Sequence, residues 1–135
     1  MMKLYKRIAR TVAVLVLSVA TIFGCAVSAQ AATWSVCGTT NTGGYEVNYN
    51  VYRQHAAYGN ITISVSNGVT NGARFTMQSI QGNRVSWSGY FVTGSKTWTG
   101  VLSSYYTIVA QQGSCSVWQK LVTGCDNYWA GSLTM

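Results

Sequence analysis

The chain has 135 residues, and its 9 lysine and arginine residues stand against 2 acidic residues, a formal net charge of +7. Four of the nine basic residues lie among the first ten positions, so residues 32–135 carry five basic and two acidic residues, a net charge of +3. These dispersed charges argue against a nucleic-acid-binding protein, which usually has a clustered basic face. Abundant aromatic and β-branched residues argue against a disordered chain.

Residues 1–31 have the three zones of a secretory signal. A cationic start precedes the 14-residue apolar run Thr11–Gly24, and Ala29-Gln30-Ala31 offers the small side chains that a signal peptidase requires. The run is short for a membrane span, which needs about 20 residues. We therefore predict a cleaved signal helix of bacterial type and one secreted domain, residues 32–135, without a membrane span. A minor alternative is lipid attachment at Cys25.

Period-two alternation of apolar and polar residues dominates the chain after the signal. Glycine and asparagine between the runs tolerate the positive φ that tight turns require. The pattern predicts an all-β fold, a small antiparallel β-sandwich or partly open barrel of about seven strands. Two Asn-Gly pairs predict one mobile loop over residues 67–72. The predicted strands cover residues 45–51, 61–65, 74–78, 84–91, 97–110, 117–122 and 128–133.

Three cysteines follow the signal, namely Cys37, Cys115 and Cys125. Because exported proteins meet oxidising conditions, we expect at least one disulfide bond. A Cys115–Cys125 bond would close a small loop, whereas Cys37 with either partner would join the start of the domain to its end and stabilise it more. The third thiol would stay free in a monomer or link two chains into a dimer. The spacing indicates no metal site, and we expect no cofactor.

The acid–base groups after residue 31 are few: His55, Glu46 and Asp126 are the single histidine, glutamate and aspartate. General acid–base catalysis needs a positioned pair of such groups. No nucleophile turn accompanies them. We therefore predict a protein that is not an enzyme, with a hydrolase using His55 and Asp126 as an alternative. His55 itself is predicted to lie in an exposed loop at the end of a strand.

Aromatic side chains are the best candidates for binding residues, although most of them are expected to fill the core. Tyr52, Tyr90 and Trp118 fall out of phase with their apolar neighbours and are predicted to be exposed. Arg74 and Arg84 are predicted to lie side by side across one hairpin and to form a patch with Tyr90. These five residues are the candidate binding residues. The alternative is ordinary solvation of an outer sheet face.

Two sets of residues resemble known families. The first set is Cys37-Gly38, Gly44-Tyr45 and Gly113-Ser114-Cys115-Ser116-Val117-Trp118. It is similar to the spore-associated protein A family of small secreted proteins. The second set, His55, Ile63-Ser64-Val65-Ser66-Asn67-Gly68 and Tyr105-Tyr106, resembles lactococcin-type bacteriocins, which are secreted cationic β-sandwiches. Either resemblance implies a secreted all-β protein that acts without a cofactor, and neither implies a catalytic residue.

These observations predict a small secreted protein that binds a cell-envelope component or another extracellular protein. One alternative is a secreted antimicrobial toxin, because a positive charge attracts proteins to anionic envelopes. A second alternative is a secreted protease inhibitor that presents the 67–72 loop.

Overall fold

The computed structural model describes residues 31–135. Residues 1–30, which contain Cys25 and all of the predicted signal segment except Ala31, lie outside the described residues. Within this range eight strands form two antiparallel four-stranded sheets, which confirms the predicted sandwich with one strand more than expected. The strands are β1 (Thr33–Thr39), β2 (Glu46–Asn48), β3 (Arg53–His55), β4 (Gly59–Asn67), β5 (Ala73–Ser79), β6 (Gly94–Val101), β7 (Ser104–Gln112) and β8 (Tyr128–Thr134).

The two sheets are organised differently. The first sheet has the strand order β1-β8-β4-β6. In the second sheet β7 pairs with β5 along one side, while the short strands β2 and β3 share its other side. Strand β7 therefore positions side chains from three neighbours, and its alternating residues point to the core and to the outer face in turn.

The core lies between the sheets and follows the predicted alternation most closely in β4. Ile61 and Ile63 are fully buried there, and Phe75 of β5 packs edge-to-face on Trp129 of β8 with ring centroids 4.9 Å apart. The Trp129 indole donates a 2.7 Å hydrogen bond to the Tyr49 hydroxyl, which satisfies its polar atom. Burying each such side chain contributes about 1.5–3 kcal/mol.

The predicted strand at 84–91 is wrong, because this segment does not form a regular β-strand. This segment runs beside β5 but makes only two isolated bridges. Side-chain hydroxyls replace part of the ladder: Ser88 Oγ accepts a 2.8 Å hydrogen bond from Phe75 N, and Thr76 Oγ1 donates a 2.7 Å bond to Val85 O. Because these hydroxyls compete with the regular backbone pairing, the segment stays extended and irregular.

Three other segments differ from the prediction. The pattern missed β1 altogether, and the long run 97–110 is two strands, β6 and β7, joined by a turn after Val101. The predicted strand 117–122 is wrong, because these residues form a helical turn whose π-helical part is Gln119–Thr123. Among the described residues, no helix is long and apolar enough to cross a membrane.

Candidate functional site

Two arginines and two aromatic rings gather on the outer face of the second sheet. We call Arg74, Arg84, Trp87 and Tyr90 the arginine–aromatic face. The Arg74 guanidinium carbon lies 4.5 Å from the centre of the Trp87 ring and 5.4 Å from that of Tyr90, and the Arg84 carbon lies 5.8 Å from the Trp87 ring. These distances are within the range of attractive cation–π contacts, about 6 Å. The rings therefore hold both cations in place.

Polar side chains orient the two guanidinium groups. Gln111 on β7 lies opposite Arg74 on β5, and its Oε1 accepts a 2.8 Å hydrogen bond from Arg74 Nε. Gln78 Oε1 accepts a 2.8 Å bond from Arg84 Nε. Glu46 of β2 completes the row with a 2.9 Å ion pair to a terminal nitrogen of Arg84. Strand register sets the positions of Arg74, Gln111 and Glu46, and these contacts orient both guanidinium groups within the protein.

The arrangement leaves hydrogen-bond donors free. Within residues 31–135, Arg74 donates only through Nε, so its two terminal nitrogens have no protein acceptor. Tyr90 is 50% exposed beside it. A guanidinium edge can donate two parallel hydrogen bonds to a carboxylate or phosphate, and an exposed ring offers an apolar surface next to that anion. The site can therefore bind an anionic group that is attached to a ring or chain.

An adjoining cleft of about 410 Å³ lies between the 83–86 segment and β6. Arg84 and Lys96 are among the residues that line it. The wall includes Tyr106, whose hydroxyl donates a 2.9 Å hydrogen bond to Leu102 O. Burial raises the pKa of the Tyr106 phenol, which keeps this group protonated and donating. The cleft and the arginine–aromatic face share Arg84.

The five candidate binding residues fall into three places. Arg74, Arg84 and Tyr90 come together as the sequence suggested, and Trp87, which was not among the candidates, joins them. Tyr52 is exposed just before β3, and Trp118 is exposed in the segment between the two bonded cysteines. The binding role of all five stays a prediction.

The cysteine pairing is the shorter of the alternatives. Cys115 bonds to Cys125, and we call residues 115–125 the disulfide loop. Cys37 on β1 is exposed, and its thiol is free within residues 31–135. A hydrogen bond with Cys37 raises the pKa of the Tyr128 phenol on the neighbouring strand β8. The disulfide bond is therefore local and joins no distant parts of the chain.

The disulfide loop rests on a buried glutamine. Gln112 is fully buried, and its Nε2 donates to the carbonyls of Thr70 and Asp126 at 2.8 and 2.9 Å. Its Oε1 accepts a 2.6 Å hydrogen bond from Thr40 Oγ1. One amide thus joins β7, the turn after β4 and the end of the disulfide loop. Sequence reasoning did not single out Gln112, because the predicted strand ended at residue 110.

Two pairs of side chains hold the loop in shape, Ser116 with Gln119 and Gln119 with Asn71. Ser116 Oγ accepts a hydrogen bond from Gln119 N at 3.1 Å, and Gln119 Oε1 accepts one from Ser116 N at 3.0 Å. This reciprocal pair is a capping box, and it begins the helical turn. The spacing Ser-x-x-Gln was the signal that the sequence reasoning missed. The Gln119 amide also exchanges two hydrogen bonds with the Asn71 amide.

The 67–72 segment is packed against the rest of the domain. It is one connection between β4 and β5, as expected, but Val69 is buried and Thr70 N donates to Asp126 O at 3.0 Å. Asn71 adds a 3.0 Å hydrogen bond to Ser114 O. These contacts fasten the segment to the disulfide loop, and its predicted mobility and its role as an inhibitor loop stay predictions.

The outer surface of the disulfide loop is apolar. Val117, Trp118, Leu121 and Val122 are 73%, 69%, 80% and 56% exposed. Lys120 is the charged residue among them. Because soluble proteins seldom concentrate large exposed apolar side chains in one place, this surface indicates an interaction site.

His55 is buried, which corrects the prediction of an exposed loop. It ends β3, its Nε2 donates a 3.3 Å hydrogen bond to Val101 O, and its buried Nδ1 has no partner within residues 31–135. His55 pairs with Ser104 at the start of β7, whereas Asp126 contacts Gln112 at the end. These ends are roughly 25 Å apart at the rise of a strand. The structure does not bring the two candidate catalytic groups together.

Metal-ligating side chains are dispersed as well. Among the described residues, no three histidine, cysteine, aspartate or glutamate side chains lie close enough to hold a metal ion. No protein-family model matches the sequence, and no curated protein matches it significantly. The two family resemblances stay predictions, and the arrangement of side chains carries the functional argument.

Proposed function

We propose that this protein binds an anionic polymer of a cell envelope on its arginine–aromatic face and does so without catalysis. The observation that carries the proposal is the pair of guanidinium groups on one indole ring, where the terminal nitrogens of Arg74 have no acceptor among the described residues. Such groups recognise carboxylates and phosphates, which envelope polymers carry in repeated units.

The supporting residues favour binding without a large rearrangement. Gln111 and Gln78 accept from the Nε atoms of the two arginines, so the terminal nitrogens are directed away from them. Ordering a free arginine side chain on binding costs conformational entropy. Because contacts within the protein already order both arginines, less conformational entropy is lost when a ligand binds. Tyr90 and the cleft beside Lys96 then provide surface for the rest of a polymer chain.

The acid–base groups also favour a binding protein over an enzyme. Glu46 is held in an ion pair with Arg84, and His55 is buried inside the sandwich. Neither faces the arginine–aromatic face as a free proton acceptor, and hydrolysis needs such a group beside the substrate. The described site therefore supports anion recognition better than bond cleavage.

Calorimetric titration tests the proposal with three polymers: a polygalacturonate that carries carboxylates, a poly(glycerol phosphate) that carries phosphates, and a neutral glucan. We expect binding to at least one anionic polymer and none to the glucan. Arg74→Gln should weaken that binding about tenfold, because a charged hydrogen bond is worth roughly 1.5–3 kcal/mol. Tyr90→Ala should weaken it less.

The matched control is Arg53→Gln, which removes one positive charge from β3, outside the arginine–aromatic face. If Arg53→Gln and Arg74→Gln weakened binding equally, general charge attraction would explain the result and the proposed site would be wrong. Binding of the glucan as tightly as the anionic polymers would also contradict it.

A further inference from the structure

We propose that the disulfide loop inserts its apolar side chains into the surface of an anionic lipid membrane. This inference concerns a second site and does not rest on the proposed polymer binding. Its basis is the combination of a fixed loop shape, exposed apolar side chains and a lysine within one short segment of the described chain.

The loop holds these side chains outward. The Cys115–Cys125 bond closes its base, and the capping box of Ser116 and Gln119 begins its helical turn. The amide pair with Asn71 fastens the same turn to the connection between β4 and β5. Because the backbone is held at these points, the apolar side chains do not need a new conformation to meet a partner. Little conformational entropy is then lost on insertion.

The chemistry of the loop matches a membrane interface. Trp118 is an aromatic side chain with a polar nitrogen, a type enriched where hydrocarbon meets headgroups. Leu121 and its valine neighbours are purely apolar, and Lys120 can keep its ammonium at headgroup level while its stem lies along the apolar surface. Together they form a small amphipathic wedge.

Charge favours an anionic membrane in particular. Residues 116–124 contain Lys120 and no acidic residue, and residues 32–135 carry a net charge of +3. Asp126 is the acidic residue next to the loop, and it lies beyond Cys125 at the base, where Thr70 holds its backbone. Anionic leaflets attract basic residues that approach within a Debye length, so the lysine at the tip is attracted most.

The size of the surface distinguishes a membrane from a protein partner. A standard protein interface uses about 20–30 residues on each side. The disulfide loop offers four large apolar side chains on a segment closed by cysteines 10 positions apart. Such a surface is too small for the core of a stable protein interface, whereas a few apolar side chains suffice for reversible insertion into a lipid surface.

Vesicle sedimentation tests the proposal. The exported product of the full chain, its N-terminus established from its mass, is mixed with vesicles of phosphatidylglycerol and phosphatidylcholine in equal parts, or of phosphatidylcholine alone. We expect binding to the anionic vesicles that falls as salt is added. Leu121→Ser should weaken it about tenfold, because it removes the insertion of one large apolar side chain.

The matched control is Leu102→Ser, since Leu102 is 70% exposed in the turn between β6 and β7. It should leave vesicle binding unchanged. Equal losses for Leu121→Ser and Leu102→Ser, no loss for Leu121→Ser, or no binding by the unaltered protein would each overturn the proposal. Equal binding to both vesicle types would overturn its anionic part.

Fluorescence supplies a readout that reports the loop itself. Vesicles with brominated acyl chains quench a tryptophan that enters the hydrocarbon, and we expect them to quench the unaltered protein but not Trp118→Phe. Equal quenching of both proteins would place the membrane contact elsewhere. Polymer titration of Leu121→Ser keeps the two proposals separate, because this variant should bind the anionic polymer normally.

Discussion

Two adjacent glutamines on β7 serve the two candidate sites in opposite ways. Gln111 points to the outer face, where it accepts from Arg74 and donates a 2.6 Å hydrogen bond to Gly44 O. Gln112 points to the core, where its amide holds the strands and the disulfide loop together. Alternation along the strand separates them. Gln111 supports the charged, partly solvated arginine–aromatic face. Gln112 supports the apolar disulfide loop through a buried polar network.

The arginine–aromatic face and the disulfide loop differ in the contacts that hold them in place. The arginine–aromatic face is held by exposed polar contacts, each of which contributes modestly to stability. The disulfide loop depends on a covalent bond and a fully buried amide, where an unmet hydrogen bond is costly. Substitutions at the first site should therefore change binding more than folding, and those beneath the second should change folding more than binding.

The largest expected effect is that of Gln112→Ala. It leaves Thr40 and the two carbonyls without their buried partner and opens a cavity, so we expect a loss of about 3–5 kcal/mol in the free energy of unfolding. Urea unfolding followed by tryptophan fluorescence measures it. Gln111→Ala is the matched control, with an expected loss of about 1 kcal/mol. Equal losses would contradict the contrast between the two glutamines.

Removal of the disulfide bond should have the next largest effect. The double variant Cys115→Ser, Cys125→Ser is expected to lose about 3 kcal/mol, because the closed loop no longer restricts the unfolded chain. Thermal unfolding measures the change, and Cys37→Ser serves as the control because Cys37 forms no disulfide bond in the described part of the chain. A loss in Cys37→Ser as large as in the double variant would show that the Cys115–Cys125 bond is not the one that stabilises the protein.

Gln119→Ala should have a smaller effect. It removes one half of the capping box and the amide pair with Asn71, so we expect a loss of about 1 kcal/mol. If the proposed membrane contact is right, vesicle binding should weaken as well, because the loop is less well held. Gln54→Ala, an exposed glutamine on β3, is the control and should change neither measurement. Normal vesicle binding with reduced stability would show that the helical turn is not needed for insertion.

Glu46→Gln should change stability least. The ion pair with Arg84 is partly exposed, so its loss is expected to cost less than about 1 kcal/mol. The same change frees Arg84 from its anionic partner, and binding of the anionic polymer should tighten about threefold. Asp126→Asn removes the same charge away from the arginine–aromatic face and is the control. Weaker binding in Glu46→Gln would contradict a role for Arg84 in anion recognition.

Local sequence determined much of the sandwich. Alternation in residues 61–65 placed Ile61 and Ile63 in the core, and alternation in the 74–84 region placed Arg74 and Arg84 on one surface near Tyr90. These inferences succeed because side chains on a strand change sides at every residue, whatever the rest of the chain does. The same rule failed at residues 117–122, where the capping box and the disulfide bond impose a helical turn.

Only the tertiary structure decided the contacts between distant segments. Sequence left the pairing of Cys115 open, did not include Trp87 among the candidate residues and placed His55 in an exposed loop. The physical reason is the same in each case. Which thiols, rings or amides meet depends on sheet register and on how the strands pack, whereas composition and alternation describe each strand by itself. The two surfaces proposed here therefore combine residue types visible in the sequence with neighbours that only folding supplies.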